Sequence, residues 1–208
     1  IISDYDNLKY TYFYNYICSQ YFFRNGEYEK SKEFCEIIED KKITKSEYSE
    51  KETELIGKLC VGHALSIKST EGYSKAKKDF EKSLLLYPES RILNGEYLVH
   101  LSCMELDSNP KKAIYYTRKV IDLFQDNHLA LEYPLFHKYG DLAMELFFSK
   151  NYKEARLESN NAINLARVNG IIAEEGRAQN ILACCEYMLD KDINNAIYLL
   201  KSSCFLLE

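Results

Sequence analysis

The residues that could do chemistry are few and poorly placed for it. His63, His100, His128 and His137 fall in different stretches, and none has a second histidine three or four residues on, as a helical metal site needs. Glu174 and Glu175 are adjacent, and neighbours on a helix point about 100° apart, so the pair does not share one acid–base site. Cys184 and Cys185 are consecutive, which does not readily meet disulfide geometry, and both read as packing residues. H-E-x-x-H, G-x-x-x-x-G-K-[ST] and G-x-S-x-G do not occur. The expectation is a protein that is not an enzyme, with no cofactor and no metal, whose function lies in a surface.

The elements that would build that surface follow one frame. In "EGYSKAKKDFEKSLLLYPES", Ala76 has Tyr73 three residues before it, Phe80 four after, and Ser83 and Leu84 seven and eight after. Those offsets trace one stripe of a helix. The frame returns at Ala113 with Thr117, Val120 and Ile121, and at Ala155 with Tyr152, Ser159, Ala162 and Ile163. It returns again at Ala196 with Leu200, Ser203 and Cys204, and at Ser31 with Tyr28, Cys35, Ile38 and, more loosely, Glu39. The anchors lie 45, 37, 42 and 41 residues apart, an evenness that favours stacked units over independent domains.

A second apolar-periodic segment lies between anchors, as in "IGKLCVGHALSIKS" and "FHKYGDLAMELFF". Each unit is therefore a helical hairpin. The spacing predicts five, at about 9–43, 46–88, 90–125, 129–168 and 171–208, in one domain over 1–208. A small anchor lets the two helices of a hairpin approach, and the aromatic before it plugs the turn. Asn109-Pro110 is a helix start, with Asn as N-cap and Pro where a missing N–H costs nothing.

Composition agrees with an all-α chain. Its 208 residues are 46% hydrophobic with only 8 Gly and 3 Pro, so long uninterrupted elements are expected. With 27 Lys and Arg against 32 Asp and Glu, the net charge of -5 argues against a nucleic-acid surface. No apolar run approaches the roughly 20 residues that span a bilayer, and "IISDYDN" does not form a signal peptide. Seven scattered cysteines read as reduced thiols of a cytoplasmic protein. The chain opens on Ile1 and its first Met is Met104, from which a piece excised from a longer protein is expected.

Gly72, Tyr73, Ala76, Phe80 and Pro88 together resemble the second half of a tetratricopeptide repeat (TPR), as turn glycine, turn aromatic, anchor, packing aromatic and terminator. The resemblance implies a TPR-type α-solenoid, a right-handed superhelix with repeats longer than the usual 34 residues. Five Tyr-rich repeats of this length resemble the TPR domain of the RRNPP family of Gram-positive peptide-pheromone receptors, best over residues 137–189 and closest to its PlcR- and Rgg-like transcription regulators. That resemblance implies the sensor half of a quorum-sensing regulator without its helix-turn-helix domain, a homodimer that binds a short peptide and does not itself bind DNA. The alternative is an interaction or sensor TPR segment of another multidomain signalling protein, such as a STAND-type ATPase. In chaperone-adapter TPRs a Lys/Asn/Arg set clamps a carboxylate; Lys58 and Lys68 alone do not reproduce it.

In a TPR stack the first helix of each hairpin lines the concave face. Counting back from the anchors puts Phe13, Tyr16, Gln20 and Phe23 there, then Lys58, Val61, Leu65 and Lys68, then Leu98, Ser102 and Glu105. His137, Asp141, Met144 and Phe147 follow, then Ala178, Ile181 and Cys185. The candidate peptide-binding set is Lys58, Val61, Leu65, Lys68, Leu98, Ser102, His137, Asp141, Met144 and Phe147. Family members use Asn here to grip the peptide main chain. Asp141 departs from that, because an ionised Asp only accepts, so a ligand N–H, Lys or Arg suits it. The other reading of Asp141 is a solvated charge on an open face, with no ligand role.

Overall fold

The computed structural model describes residues 4–36, 49–125 and 135–207. These form ten helices: α1 (Asp4–Arg24), α2 (Tyr28–Cys35), α3 (Glu50–Glu71), α4 (Tyr73–Leu86), α5 (Arg91–Glu105), α6 (Pro110–Gln125), α7 (Leu135–Phe148), α8 (Tyr152–Val168), α9 (Ile172–Asp190) and α10 (Ile193–Leu207). No strand occurs among the described residues. Ile38, Glu39 and His128 lie outside them, as do several of the expected hairpin limits.

Local chemistry sets the helix ends. Ser49 opens α3 through a capping box: the Glu52 N–H donates to Ser49 Oγ, and the Ser49 N–H donates to Glu52 Oε2 at 2.8 Å. A single residue, Gly72, separates α3 from α4, at φ 92° and ψ 173°, a conformation open essentially only to glycine. Asn109 Oδ1 caps α6 by accepting from the Lys112 N–H, and Asp192 Oδ1 caps α10 by accepting from Asn195. The N-terminus of α5 is capped from another helix. Glu54 of α3 accepts from the N–H groups of Arg91 and Ile92 and from the Ser90 hydroxyl, at 2.8, 3.1 and 2.8 Å. Its buried charge thus meets three donors at the positive end of a helix dipole.

Two compact units, residues 1–100 and 101–208, divide the chain within α5. In the first unit α1 pairs with α2 and α3 with α4, and α3 also packs on α1 and α2. Ile56, Leu59, Cys60, Ala64, Phe80 and Leu93 form its core, with Tyr12 and Cys35. In the second, α7, α8, α9 and α10 pack in succession, α6 lies on α7, and α7 touches α9. All five anchors, Ser31, Ala76, Ala113, Ala155 and Ala196, are buried where helices meet.

Candidate functional site

In the second unit the first helices of two hairpins, α7 and α9, meet, and the meeting is polar on one side. Asp141 and His137 are one helical turn apart on α7; Glu174 and Arg177 are one turn apart on α9. The Arg177 guanidinium lies across α7. Its Nη1 and Nη2 both donate to Asp141 Oδ1 at 3.2 Å, Nη2 also donates to the His137 carbonyl at 3.3 Å, and Nε donates to Glu174 Oε2 at 2.9 Å. His137 Nδ1 pairs with Glu174 Oε1 at 2.9 Å, and Lys138 Nζ donates to Asp141 Oδ2 at 3.0 Å.

Gly140 lies under the guanidinium: a Cβ at that position would be 2.8 Å from Arg177 Nη2, so a side chain there would require the end of Arg177 to shift. The cluster is half-open: the side chains of His137 and Arg177 remain 40% and 39% accessible, so a ligand can reach both.

A second polar group lies deeper. Glu145 is buried, and its Oε1 accepts from Ser102 at 2.6 Å and from Thr117 at 2.8 Å, while Oε2 has no partner among the described residues. Burial pushes its carboxyl above the usual carboxylate range, against the opposing pull of the two hydroxyls.

Of the ten candidates, the structure brings His137 and Asp141 into one cluster, with Met144 one turn further along α7 and half-buried. Phe147 is half-buried and turned to the hairpin interior, 5.4 Å from the Tyr152 ring. Two placements correct the sequence reading. Ser102 is interior, consumed by Thr117 and Glu145, and Val61 is buried in the core of the first unit. Both sit where neighbouring helices close over their turn. Leu65 packs partly against that core, and Leu98 and Lys58 are half-buried. Lys68 places its ammonium 4.7 Å from the centre of the Tyr73 ring, a cation–π contact. Asp141 is not a lone solvated charge, since Arg177 and Lys138 already engage it.

Sequence reasoning missed Arg177, Lys138, Gly140 and Glu145, and set Glu174 aside with Glu175. Glu174/Arg177 and Lys138/Asp141 were visible as opposite charges three residues apart. Glu145, a charge inside the apolar run "LAMELFF", marked a buried polar contact. Two histidines have carboxylate partners across helices, His137 with Glu174 and His63 with Asp79 at 2.9 Å, whereas His100 Nε2 pairs with the Tyr73 carbonyl at 2.9 Å. Burial raises the nearby thiols, Cys35 to about 11 and Cys60 to about 12, which keeps them protonated and poor nucleophiles. Among the described residues no helix is long and apolar enough to cross a membrane.

No family model matches the sequence, and no curated protein matches it. Solved structures do resemble the fold. A kinesin light chain-type protein of Podosopora anserina with nearly identical TPR-like repeats aligns at a TM-score of 0.62 and 14% identity, over 93% of both chains. A double mutant of MamA from RS-1 aligns at 0.62 and 14% identity, over 99% of this chain and 96% of that one. MamA from AMB-1 aligns at 0.55 and 16% identity, over 94% and 98%. With ten helices among its described residues, set in hairpins on buried small anchors, the chain has the all-α fold of a TPR-type solenoid.

Proposed function

We propose that the chain is a protein-interaction module that holds a short peptide segment of its partner against the α7–α9 face. The observation that supports this most is the half-open Asp141–Arg177–Glu174–His137 cluster, seated over Gly140. It offers donors and acceptors together, which is what a peptide main chain needs. Met144 and Ile181, at same-face spacing from Asp141 and Arg177, extend it with apolar surface. Burying a ligand side chain there contributes roughly 25 cal/mol per Å², less the entropy of ordering the peptide.

The TPR-like fold of the structural neighbours supports a partner-binding scaffold in general. The finer reading, the sensor domain of a Gram-positive peptide-pheromone regulator, rests on the likeness of residues 137–189. An interaction segment of another signalling protein would use the same face.

Selection of a random short-peptide library on the wild type, followed by calorimetry, tests the site. Arg177→Ala and Asp141→Ala are expected to weaken a selected peptide by at least about tenfold, and the exposed α8 control Lys153→Ala to leave it unchanged. Equal affinity for all four proteins overturns the site. Binding of apolar peptides encoded beside the chain's own gene, measured separately by the same calorimetry, would favour the pheromone reading.

A further inference from the structure

Three histidines lie among the described residues, and the most deeply buried of them is the one without a carboxylate. His63 pairs with Asp79 and His137 with Glu174, whereas His100 of α5 is 3% exposed and hydrogen-bonds only to a backbone carbonyl. Its Nε2 lies 2.9 Å from the Tyr73 oxygen, and because a carbonyl only accepts, Nε2 carries the ring proton. That leaves Nδ1 as a bare acceptor. Nδ1 is buried and has no hydrogen-bond partner, so a proton arriving there would find nothing to donate to. The imidazole is held against aromatic rings of α4, 5.2 Å from Tyr73 and 5.3 Å from Phe80, and Phe80 also packs on Tyr97, one turn before His100 on α5.

The charges around the ring oppose a second proton as well. From α3, Lys68 sets its ammonium 4.7 Å from the centre of the Tyr73 ring, on the stack that contains His100. From α4 comes Lys77, half-buried one turn after Tyr73. The carboxylate of this seam, Glu81, accepts from the Tyr97 hydroxyl at 2.9 Å and pairs with Lys77 at 3.8 Å. Glu96, one turn before His100 on α5, makes no ion pair with it. Burial lowers the His100 pKa from the ordinary histidine value; the Tyr73 carbonyl pulls it up, and the charges of Lys68 and Lys77 lower it further. Aromatic faces favour a cation, but the Tyr73 ring already carries Lys68.

We propose that His100 is an acid-sensitive latch on the α4–α5 seam: neutral, it ties α5 to the first turn of α4, and a proton taken up at Nδ1 loosens that tie. The direction follows from linkage. A histidine that is harder to protonate in the folded chain stabilises it above the ordinary histidine value of about 6.5, and that stability is lost as pH falls below it. Opening the seam brings His100 and the apolar faces of Phe80 and Tyr97 to water. The latch lies wholly within the first unit and does not depend on the α7–α9 face.

Urea unfolding of the wild type and of His100→Gln, from about pH 7.5 to about pH 5.5, tests it. Gln keeps a donor for the Tyr73 carbonyl and takes up no proton, and the titrations of His63, His137 and Glu145 cancel between the two proteins. The ratio of the wild-type unfolding constant to that of His100→Gln is expected to rise at least about threefold on acidification. Hydrogen exchange locates the change: α4 and residues 91–100 of α5 should lose protection in the wild type alone, with α1 and α2 unaffected. A ratio that stays flat overturns the proposal, and so does one that falls, which would mean that the rings hold an imidazolium better than an imidazole. Loss of protection that begins outside α4 and α5 overturns it too. A second arm leaves His100 in place, in case the Gln variant does not fold. Lys68→Gln combined with Lys77→Gln makes the ring easier to protonate, so its acid-induced loss of stability should be smaller than that of the wild type, and an equal loss overturns the latch.

Discussion

Around α3 the interior is filled largely by big side chains, Ile56, Leu59, Phe80 and Leu93, whereas from α7 to α9 much of it is Ala143, Ala155, Ala162, Ala166, Ala178 and Ala183. Both interiors sit on small anchors at equivalent positions, Ala76 and Ala155. Their first-helix sides differ accordingly. On α3 that side includes Val61 and Leu65, drawn into or against the core, while on α7 and α9 it presents charges that pair across the helices. The anchor sets how hairpins stack, and the residues around it decide whether the first-helix side is drawn into the core or left to pair charges across helices. Small residues bring α7 and α9 close enough for one guanidinium to bridge them. Large ones use the same space for packing.

The comparison breaks most visibly if the large filler is removed. Phe80→Ala leaves a cavity between Tyr97, His100 and the α3 core, and should cost about 3–5 kcal/mol. Denaturant unfolding measures it, and a loss below about 1 kcal/mol would mean that the first unit collapses around the gap. The reciprocal change is Ala155→Leu, which puts bulk where Ile121, Leu142, Leu146 and Cys185 already meet. It should cost roughly 1–3 kcal/mol, and an unchanged melting temperature would show that the small filler is not what sets helix approach.

The smallest effect concerns Glu145. Its folded pKa is raised, so in the window above the ordinary carboxylate range the native state holds a proton that the unfolded chain has released. Stability from this group is full below the unfolded value and is lost as pH rises through the folded one. Glu145→Gln keeps an acceptor for Ser102 and Thr117 and removes the titration. The stability of the wild type relative to this variant should therefore fall with rising pH across that window. A relative stability that rises instead would show that the two hydroxyls outweigh burial.

Much of the fold was legible in the sequence because its signals are local. The anchor frame, Gly72, and the Asn109-Pro110 start each depend on neighbours within one or two turns. The cap of α5 was not legible, since Glu54 lies 36 residues before Ser90 and carries no motif. The polar cluster of the candidate site was legible in part: counting back from the anchor selected His137 and Asp141, which lie in it, and also Ser102 and Val61, which are buried. A helical face is about 100° per residue in its resolution, so a count cannot separate a side chain that faces a groove from one that a crossing helix covers.

The sequence by itself determined that the chain is helical, that its helices come in hairpins, and that small residues recur where those hairpins close. Backbone propensity and side-chain period act over a few residues, and both are written in order along the chain. Only the tertiary structure decided who meets whom. Arg177 meets Asp141 across 36 residues because α9 packs on α7, and Cys184 is exposed while Cys185 is buried because α9 turns only one of them inward. Leu200 is exposed where Phe80, at the same place in the frame, is fully buried. The frame is identical at both positions, and among the described residues α5 packs over Phe80 while no helix covers Leu200.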